Sequence, residues 1–371
     1  MAGLTILCPF CFNKFFTHKM MHMCTAKSVC ERANKMEPFF GKGDRNGVST
    51  CPDCGRTTAT KVCPNCQHAL PKDILDNETK IISIIGGAGA GKSYYVATML
   101  RLIMEKAYLA DYNNISVKWV VESREEYERR FKADMDNQRI LRPTERKMNL
   151  VEDNPPLLLE ISQRRKGFGG NYLVTNTFSF FDAAGESFQS ESDLQAITPY
   201  LKHSGAVIII LDPRQVEYLD KKISDKFPDL PRPSDKRYSD ILQNTIDLLR
   251  RELGIPKKQL KIPLCVAFSK WDLIVNTPDL LPTGLSISEI KSERGLFDVG
   301  AVNNMSQELR SLLMTWDAEL VNTAENNFSD VTYFAFSAWG TSNTGGKAAP
   351  PIASYRVEDP LLWILRKEKI I

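Results

Sequence analysis

Short apolar runs recur along the chain near residues 80–85 ("KIISII"), 157–164, 171–182, 206–211 ("AVIIIL"), 262–268 ("IPLCVAF") and 331–336. Continuous apolar runs rich in β-branched residues and bounded by turn residues are the pattern of buried strands. "LLLEISQRRKGFGGNYLVTNTFSFFD" reads as a hairpin turning on "GFGG". Elsewhere the apolar spacing becomes helical. "SYYVATMLRLIMEKA", "SDILQNTIDLLRREL" and "SQELRSLLMTWDAELV" predict helices. In the last, Leu309, Leu312, Leu313, Trp316 and Leu320 make a core-facing stripe rather than a cofactor box. Residues 104–154 form a long excursion whose charged run, "SREEYERRFKADMDNQRI", predicts a solvated helix face. Residues 213–240, rich in proline and charge, predict an exposed loop, and "DPLLWIL" a closing helix.

The cysteines divide this pattern in two. Eight of nine lie at positions 8, 11, 24, 30, 51, 54, 63 and 66. The ninth, Cys265, sits inside an apolar strand and predicts a buried thiol. The expected organisation is therefore a cysteine-rich module over 1–78 and a larger domain over 79–371, with insertions near 104–154 and 213–240. "CPDCGRTTATKVCPNC" holds two Cys-x-x-Cys knuckles separated by eight residues. Each knuckle aims two thiolates at one point, and two complete a tetrahedron. Cys51, Cys54, Cys63 and Cys66 are thus expected to hold one structural Zn²⁺, with Gly55 supplying a positive φ after the first pair. A third knuckle, "CPFC", is expected to form a second zinc site from Cys8, Cys11, Cys24 and Cys30. His18 and His22 compete as ligands there, or are exposed hairpin residues, and an exchange of knuckles between the two metals stays open.

Composition narrows the classes. The chain has 371 residues, is 43% hydrophobic and 25% charged, and carries a formal net charge of +3. So small a charge does not by itself argue for nucleic acid or membrane. Residues 1–80 carry eleven Lys/Arg and seven Asp/Glu, a surplus of four. Protein docking is favoured over nucleic acid for such a module, and metal closure alone justifies the cysteines in a segment too short for a large core. The longest apolar run, about seven residues around "AVIIIL", is far short of the ~20 a transmembrane helix needs. "MAGLTILCPFCFNKFF" lacks the parts of a signal peptide. A cytoplasmic protein is expected.

"GGAGAGKS", Gly86 to Ser93, lies between a strand and a helix and matches G-x-x-x-x-G-K-[ST]. Glycines let backbone N–H groups turn around a di- or triphosphate, with the helix N-terminus behind them. The loop residues Gly86, Gly87, Ala88, Gly89, Ala90 and Gly91, with Lys92, Ser93 and Tyr94, are the expected phosphate cradle. Lys92 faces the β- and γ-phosphates and Ser93 faces Mg²⁺. "NTFSFFDAAGESF" ends a strand in Asp-x-x-Gly. Asp182 is expected beside Mg²⁺, and Gly185 is expected to offer its N–H to the γ-phosphate.

"IPLCVAFSKWDLI" ends a strand in Ser-Lys-Trp-Asp, which resembles the [NT]-K-x-D base-reading motif of GTPases. The resemblance implies that Asp272 accepts hydrogen bonds from guanine, where adenine offers no donor, and that the Lys270 stem lies along the base. Ser269 stands where the family has Asn or Thr to brace the phosphate loop, which implies weaker binding. "VTYFAFSAWG" resembles the S-A-K loop, with Ser337, Ala338 as guanine-O6 donor and Trp339 in place of lysine. In this order the motifs resemble the Ras-like, TRAFAC-clade P-loop GTPases over residues 80 to about 371. That resemblance implies a mainly parallel six-stranded sheet with helices on both faces. The zinc knuckles and "DPLLWIL" add a similarity to bacterial GTPases of conflict or signalling systems, among them double-GTPase-like ones.

The resemblance also implies a switch threonine over Mg²⁺. Thr144 in "ILRPTERK" is the candidate, ahead of Thr175 and Thr177, which lie within a strand. Glu186 occupies the place of the water-orienting Gln, as orienter, weak base or salt-bridge partner, and implies slow intrinsic hydrolysis. Arg142 is either a transition-state arginine or an exposed loop residue. The implied function is a GTP-hydrolysing switch with a partner-docking zinc module. The alternatives are a GTP-sensing adaptor and a zinc-ribbon nucleic-acid NTPase.

Overall fold

The computed structural model describes the chain apart from residues 1–3, 42, 44–46, 106–108, 110–111, 113, 138, 140, 142–154, 168–169, 183–190, 229, 231–234, 257, 278, 286, 288–296, 340–342, 345–346 and 349–353. The main sheet contains β1 (Glu78–Gly86), β2 (Ile115–Trp119), β3 (Leu157–Gly167), β4 (Gly170–Asp182), β5 (Ser204–Leu211), β6 (Leu264–Phe268) and β7 (Val331–Ala335). Their spatial order is β7-β6-β5-β1-β4-β3-β2. From β7 to β4 all neighbours are parallel, while β3 runs antiparallel to both β4 and β2. Residues Ile81 to Gly86 of β1 and all of β6 are buried. Successive strand residues point to opposite faces, so these strands are covered on both sides, which is why they read as unbroken apolar runs.

Seven strands replace the expected six. The extra one, β2, lies in the excursion 104–154 and alternates half-buried with exposed positions along "ISVKW". Five residues of edge strand with one covered face carry too little apolar pattern to stand out beside a charged helix. That helix forms as α1 (Val121–Tyr127), a π-turn over Glu128–Lys132 and a further turn over Ala133–Asp136. It is not simply a solvated face, because Tyr127, Phe131 and Met135, at four-residue spacing, are buried. The region 213–240 is likewise not all exposed loop. A 3₁₀ turn at Pro213–Gln215 leads into α2 (Glu217–Lys226), which buries Leu219 and Ile223. Two apolar residues four apart among charges make a narrow stripe, and the prolines that suggested a loop flank the helix in sequence rather than interrupt it. The stretch "SDILQNTIDLLRREL" forms α3 (Tyr238–Leu253), ending on Gly254 at φ 65°. Leu309, Leu313 and Leu320 are fully buried, as their spacing predicted, and Cys265 is buried. Among the described residues no helix is long and apolar enough to cross a membrane.

The N-terminal module is built from two-residue and three-residue strands. Thr5–Leu7 pairs with Lys14–Phe16, Ser49–Thr50 with Thr57–Thr58, and Met21–His22 lies between Phe39–Phe40 and Lys61–Val62. The module packs on the sheet. Phe12 joins the main core, with its ring centroid 6.1 Å from that of Phe181 and 5.3 Å from that of Tyr200. The Ser179 hydroxyl of β4 donates to the Pro9 carbonyl at 3.0 Å.

Candidate nucleotide site and metal centres

β1 delivers the chain to the glycine loop, and the helix Lys92–Met104 leaves it. Gly86 adopts φ 150°, and a Cβ there would lie 2.5 Å from the Ile210 carbonyl of neighbouring β5. At Gly86 the absence of a side chain is therefore a packing requirement. Lys92 is buried, and its ammonium donates to the Gly86 and Gly87 carbonyls at 3.2 and 2.8 Å. Ser93 comes next, half-buried, in the first turn of the helix. The Tyr94 hydroxyl accepts from the Leu141 N–H at 2.9 Å, and its ring meets Trp339 edge-on at 5.0 Å.

β4 places Asp182 in register with Ile84, so the Asp-x-x-Gly motif starts beside the strand that enters the loop. Gly185, Glu186, Thr144 and Arg142 lie outside the described residues.

β6 brings the Ser-Lys-Trp-Asp motif to the same end of the sheet. The Ser269 hydroxyl donates to the Ala90 carbonyl at 2.7 Å and lies 2.9 Å from the Leu211 carbonyl. A serine thus touches the phosphate loop that the longer Asn or Thr was expected to brace. The Lys270 ammonium donates to the Gly89 carbonyl at 3.0 Å. Trp271 is buried and donates through its indole N–H to the Ile287 carbonyl. Asp272 is tied to the loop after β7. The Ser337 hydroxyl donates to its Oδ1 at 2.7 Å, and its own N–H donates to that hydroxyl oxygen at 2.9 Å. Burial raises the Asp272 carboxyl above the ordinary aspartate value, against the lowering effect of the Ser337 hydrogen bond and the nearby Lys270 charge. Ala338 is half-buried, and Trp339 is buried with no hydrogen-bond partner for its indole N–H among the described residues.

Phosphate loop, Ser-Lys-Trp-Asp and Ser-Ala-Trp therefore meet at the carboxyl ends of β1, β6 and β7, the end where open parallel sheets bind ligands. Sequence reasoning missed Asp212, which accepts from Lys270, and Tyr238 and Gln215, which are hydrogen-bonded to each other beside it. The available sign was an acidic residue closing the apolar run "AVIIIL".

The cysteines form two clusters, Cys8, Cys11, Cys63, Cys66 and Cys24, Cys30, Cys51, Cys54, with all ligand atoms of a cluster within 4.8 Å of one another. The expected grouping of Cys8, Cys11, Cys24 and Cys30 against Cys51, Cys54, Cys63 and Cys66 is thereby corrected. Met21–His22 pairs antiparallel with Lys61–Val62. In an antiparallel pair the residues leaving one strand lie beside those entering the other. Cys63 and Cys66 are thereby carried back to the first knuckle, and Cys24 and Cys30 forward to Cys51 and Cys54. Sulfur–sulfur separations of 3.6 to 3.8 Å span each cluster. A tetrahedron with metal–sulfur arms of about 2.3 Å has edges of about 3.8 Å, so both sets fit Zn²⁺. Neither histidine belongs to a cluster. His22 is buried rather than exposed, with Nε2 3.3 Å from the Gly47 carbonyl, and His18 stacks on Phe16.

The Double-GTPase 2 family profile matches residues 80–342. Among solved structures, the chain is similar to Sup35 complexed with GDP at 15% identity, covering 75% of this chain and 41% of that one, with a TM-score of 0.28. The GTPase-like domain of S. cerevisiae Ski7 bound to GTP is similar at 13% identity, 79% and 51% coverage and a TM-score of 0.31. Elongation factor SelB from Methanococcus maripaludis, with a GTP analogue, is similar at 8% identity, 71% and 30% coverage and a TM-score of 0.25. The chain thus spans about half or less of the length of these proteins. None of the curated proteins compared with it matches.

Proposed function

The chain belongs to the Double-GTPase 2 family and is on that ground a GTPase; from this premise we propose that it works as a guanine-nucleotide switch in a signalling or conflict system, with its cysteine module docking a protein partner. One observation carries the nucleotide part. Ser269 and Lys270 of the base-reading motif both hydrogen-bond carbonyls of the glycine loop, Ala90 and Gly89. A site for the base and a site for the phosphates are thus one mechanical unit.

In this reading the loop amides and Lys92 hold the β- and γ-phosphates, and Asp272 selects guanine, with Ala338 as the O6 donor. Ser93, Thr144 and Asp182 would hold Mg²⁺. Bound there, Mg²⁺ supplies charge neutralisation between the phosphates. Phosphoryl transfer asks for positioning and charge more than for covalent work, so this residue set is sufficient in kind. Glu186 would orient the water. A carboxylate near the γ-phosphate also repels it, so turnover is expected to be slow without a partner. The two Cys₄ clusters would each hold Zn²⁺ and fix the module.

Calorimetry with GTP, GDP and ATP tests the reading. Both guanine nucleotides should bind, ATP should not, and Lys92→Ala should abolish binding. Equal binding of ATP would overturn it. Glu186 in place of glutamine also favours a second reading, a GTP-sensing adaptor with little hydrolysis. Single-turnover hydrolysis with and without cell lysate separates the two.

A further inference from the structure

The end of β5 carries side chains that belong to none of the recognised motifs. Asp212, immediately after Leu211, is 4% exposed. Its N–H donates to the Tyr238 hydroxyl at 2.5 Å, and its Oδ1 accepts from the Arg214 N–H at 2.9 Å. Its Oδ2 accepts from the Lys270 ammonium at 2.5 Å. Lys270 holds a left-handed φ of 51°, which a residue with a Cβ adopts only when its surroundings enforce it. Tyr238, buried at the start of α3, donates its own proton to the Gln215 side-chain carbonyl. The Gln215 amide lies against the glycine loop, where a Cβ on Gly87 would come within 2.7 Å of it.

The loop is thus tied at Gly89 by Lys270 and packed against Gln215 at Gly87, and both residues lead to Asp212. We propose that Asp212 is a positioning residue for guanine-nucleotide binding, fixing the Lys270 ammonium on the Gly89 carbonyl so that the loop keeps its anion-receiving shape. A lysine ammonium on a flexible four-carbon stem is a strongly hydrated point charge. Lys270 is 40% exposed along its side chain and has water to turn to. A buried carboxylate opposes that escape, because it needs its own cation. Asp212 touches neither phosphate nor base in this account and acts through Lys270 and the Asp212–Tyr238–Gln215 chain. The inference rests on the guanine-nucleotide reading above.

The test is a double-mutant cycle on the full zinc-loaded chain, read by dissociation of a fluorescent GDP and by turnover at saturating GTP. Asp212→Ala should speed GDP release about tenfold, with kcat changed less than about twofold. Lys270→Met should likewise speed GDP release, and the double variant should release GDP no faster than Lys270→Met alone. Asp212→Asn, which keeps an acceptor for Lys270 but removes the charge that holds it, should fall between Asp212→Ala and wild type. Losses that multiply, or release rates within about twofold of wild type in Asp212→Ala, would overturn the proposal. If Asp212→Ala fails to unfold cooperatively, the pair Lys270→Met and Asp212→Asn/Lys270→Met decides on the same non-additivity criterion. Failure of the wild-type chain to bind guanine nucleotide would instead overturn the nucleotide reading itself.

Discussion

At Asp272, burial and a hydrogen bond act in opposite directions on one carboxyl. Burial is the larger effect and places its pKa above the ordinary aspartate value. In the proposed reading the ionised form recognises guanine, so protons would compete with the base. Affinity for GDP should be fully present above that raised pKa and fall by about tenfold per unit as the pH drops below it, at a higher pH than an ordinary aspartate would set. A GDP titration series across acidic pH checks this, and a pH-independent affinity would remove Asp272 from base recognition. Asp272→Asn should shift preference from guanine toward xanthine nucleotides, since the amide offers the donor that xanthine O2 requires. Ser269 makes a subtler point. The sequence marks it as a departure from Asn or Thr and so as a weak brace. In the fold its hydroxyl reaches Ala90 at 2.7 Å, because β6 and β1, the strand that enters the loop, flank β5 and end on the same side of the sheet. Ser269→Ala should therefore cost about 1 kcal/mol of nucleotide affinity, roughly fivefold, and an unchanged Kd would show the contact to be idle.

At the scale of elements, legibility tracked the length and burial of each run. β1, β5 and β6 are buried on both faces and stand out as apolar runs without any partner being known. β2 and α2 stay hidden because each buries one narrow face among charged residues. The zinc clusters show a different limit. Cys-x-x-Cys spacing specifies a knuckle but not which knuckle it meets, because that depends on the pairing of Met21–His22 with Lys61–Val62, two residues against two with no sequence signature. The corrected pairing gives a stoichiometric prediction. Replacing Cys8 and Cys63 together by serine should leave about one zinc ion per chain, since both lie in one cluster. Under the grouping by sequence order the same double variant would damage both sites and leave close to none. Metal analysis of the purified variant distinguishes the outcomes, and Cys8→Ser/Cys24→Ser should give the converse result.

At the scale of the whole molecule, the order of motifs along the chain foretold how the strand ends would assemble, since each motif closes a strand of one parallel sheet. The docking of the module was not foretold. Leu158 of β3 joins the module's own apolar cluster, and Phe12, a residue at φ 59° just past the first knuckle, joins the main core; nothing around Phe12 in the sequence distinguishes it from the other phenylalanines of "CPFCFNKFF". Phe12 is 2% exposed and shares the main core with Phe181, the residue before Asp182, and with Tyr200. Tyr200 in turn accepts from the Ile84 N–H at 2.7 Å, on the strand that enters the phosphate loop. Module and sheet therefore share one hydrophobic core through a ring whose position depends on the Cys8–Cys11 turn. Deleting a buried phenylalanine side chain costs about 3–5 kcal/mol where the cavity cannot collapse. Phe12→Ala should accordingly lower the stability of the sheet domain itself by about 3 kcal/mol. Chelating zinc from the wild type should shift the same transition in the same direction, because the turn that aims Phe12 is then no longer fixed. Thermal unfolding followed by tryptophan fluorescence reads both, since all five tryptophans, Trp119, Trp271, Trp316, Trp339 and Trp363, lie beyond the cysteine module. A separate early transition on chelation, with the main midpoint unmoved and Phe12→Ala neutral, would mean that the module is a passive appendage. A common shift would mean that zinc occupancy and the nucleotide sheet are thermodynamically linked, so that GTP, by stabilising the folded sheet through mass action, would also slow the loss of zinc.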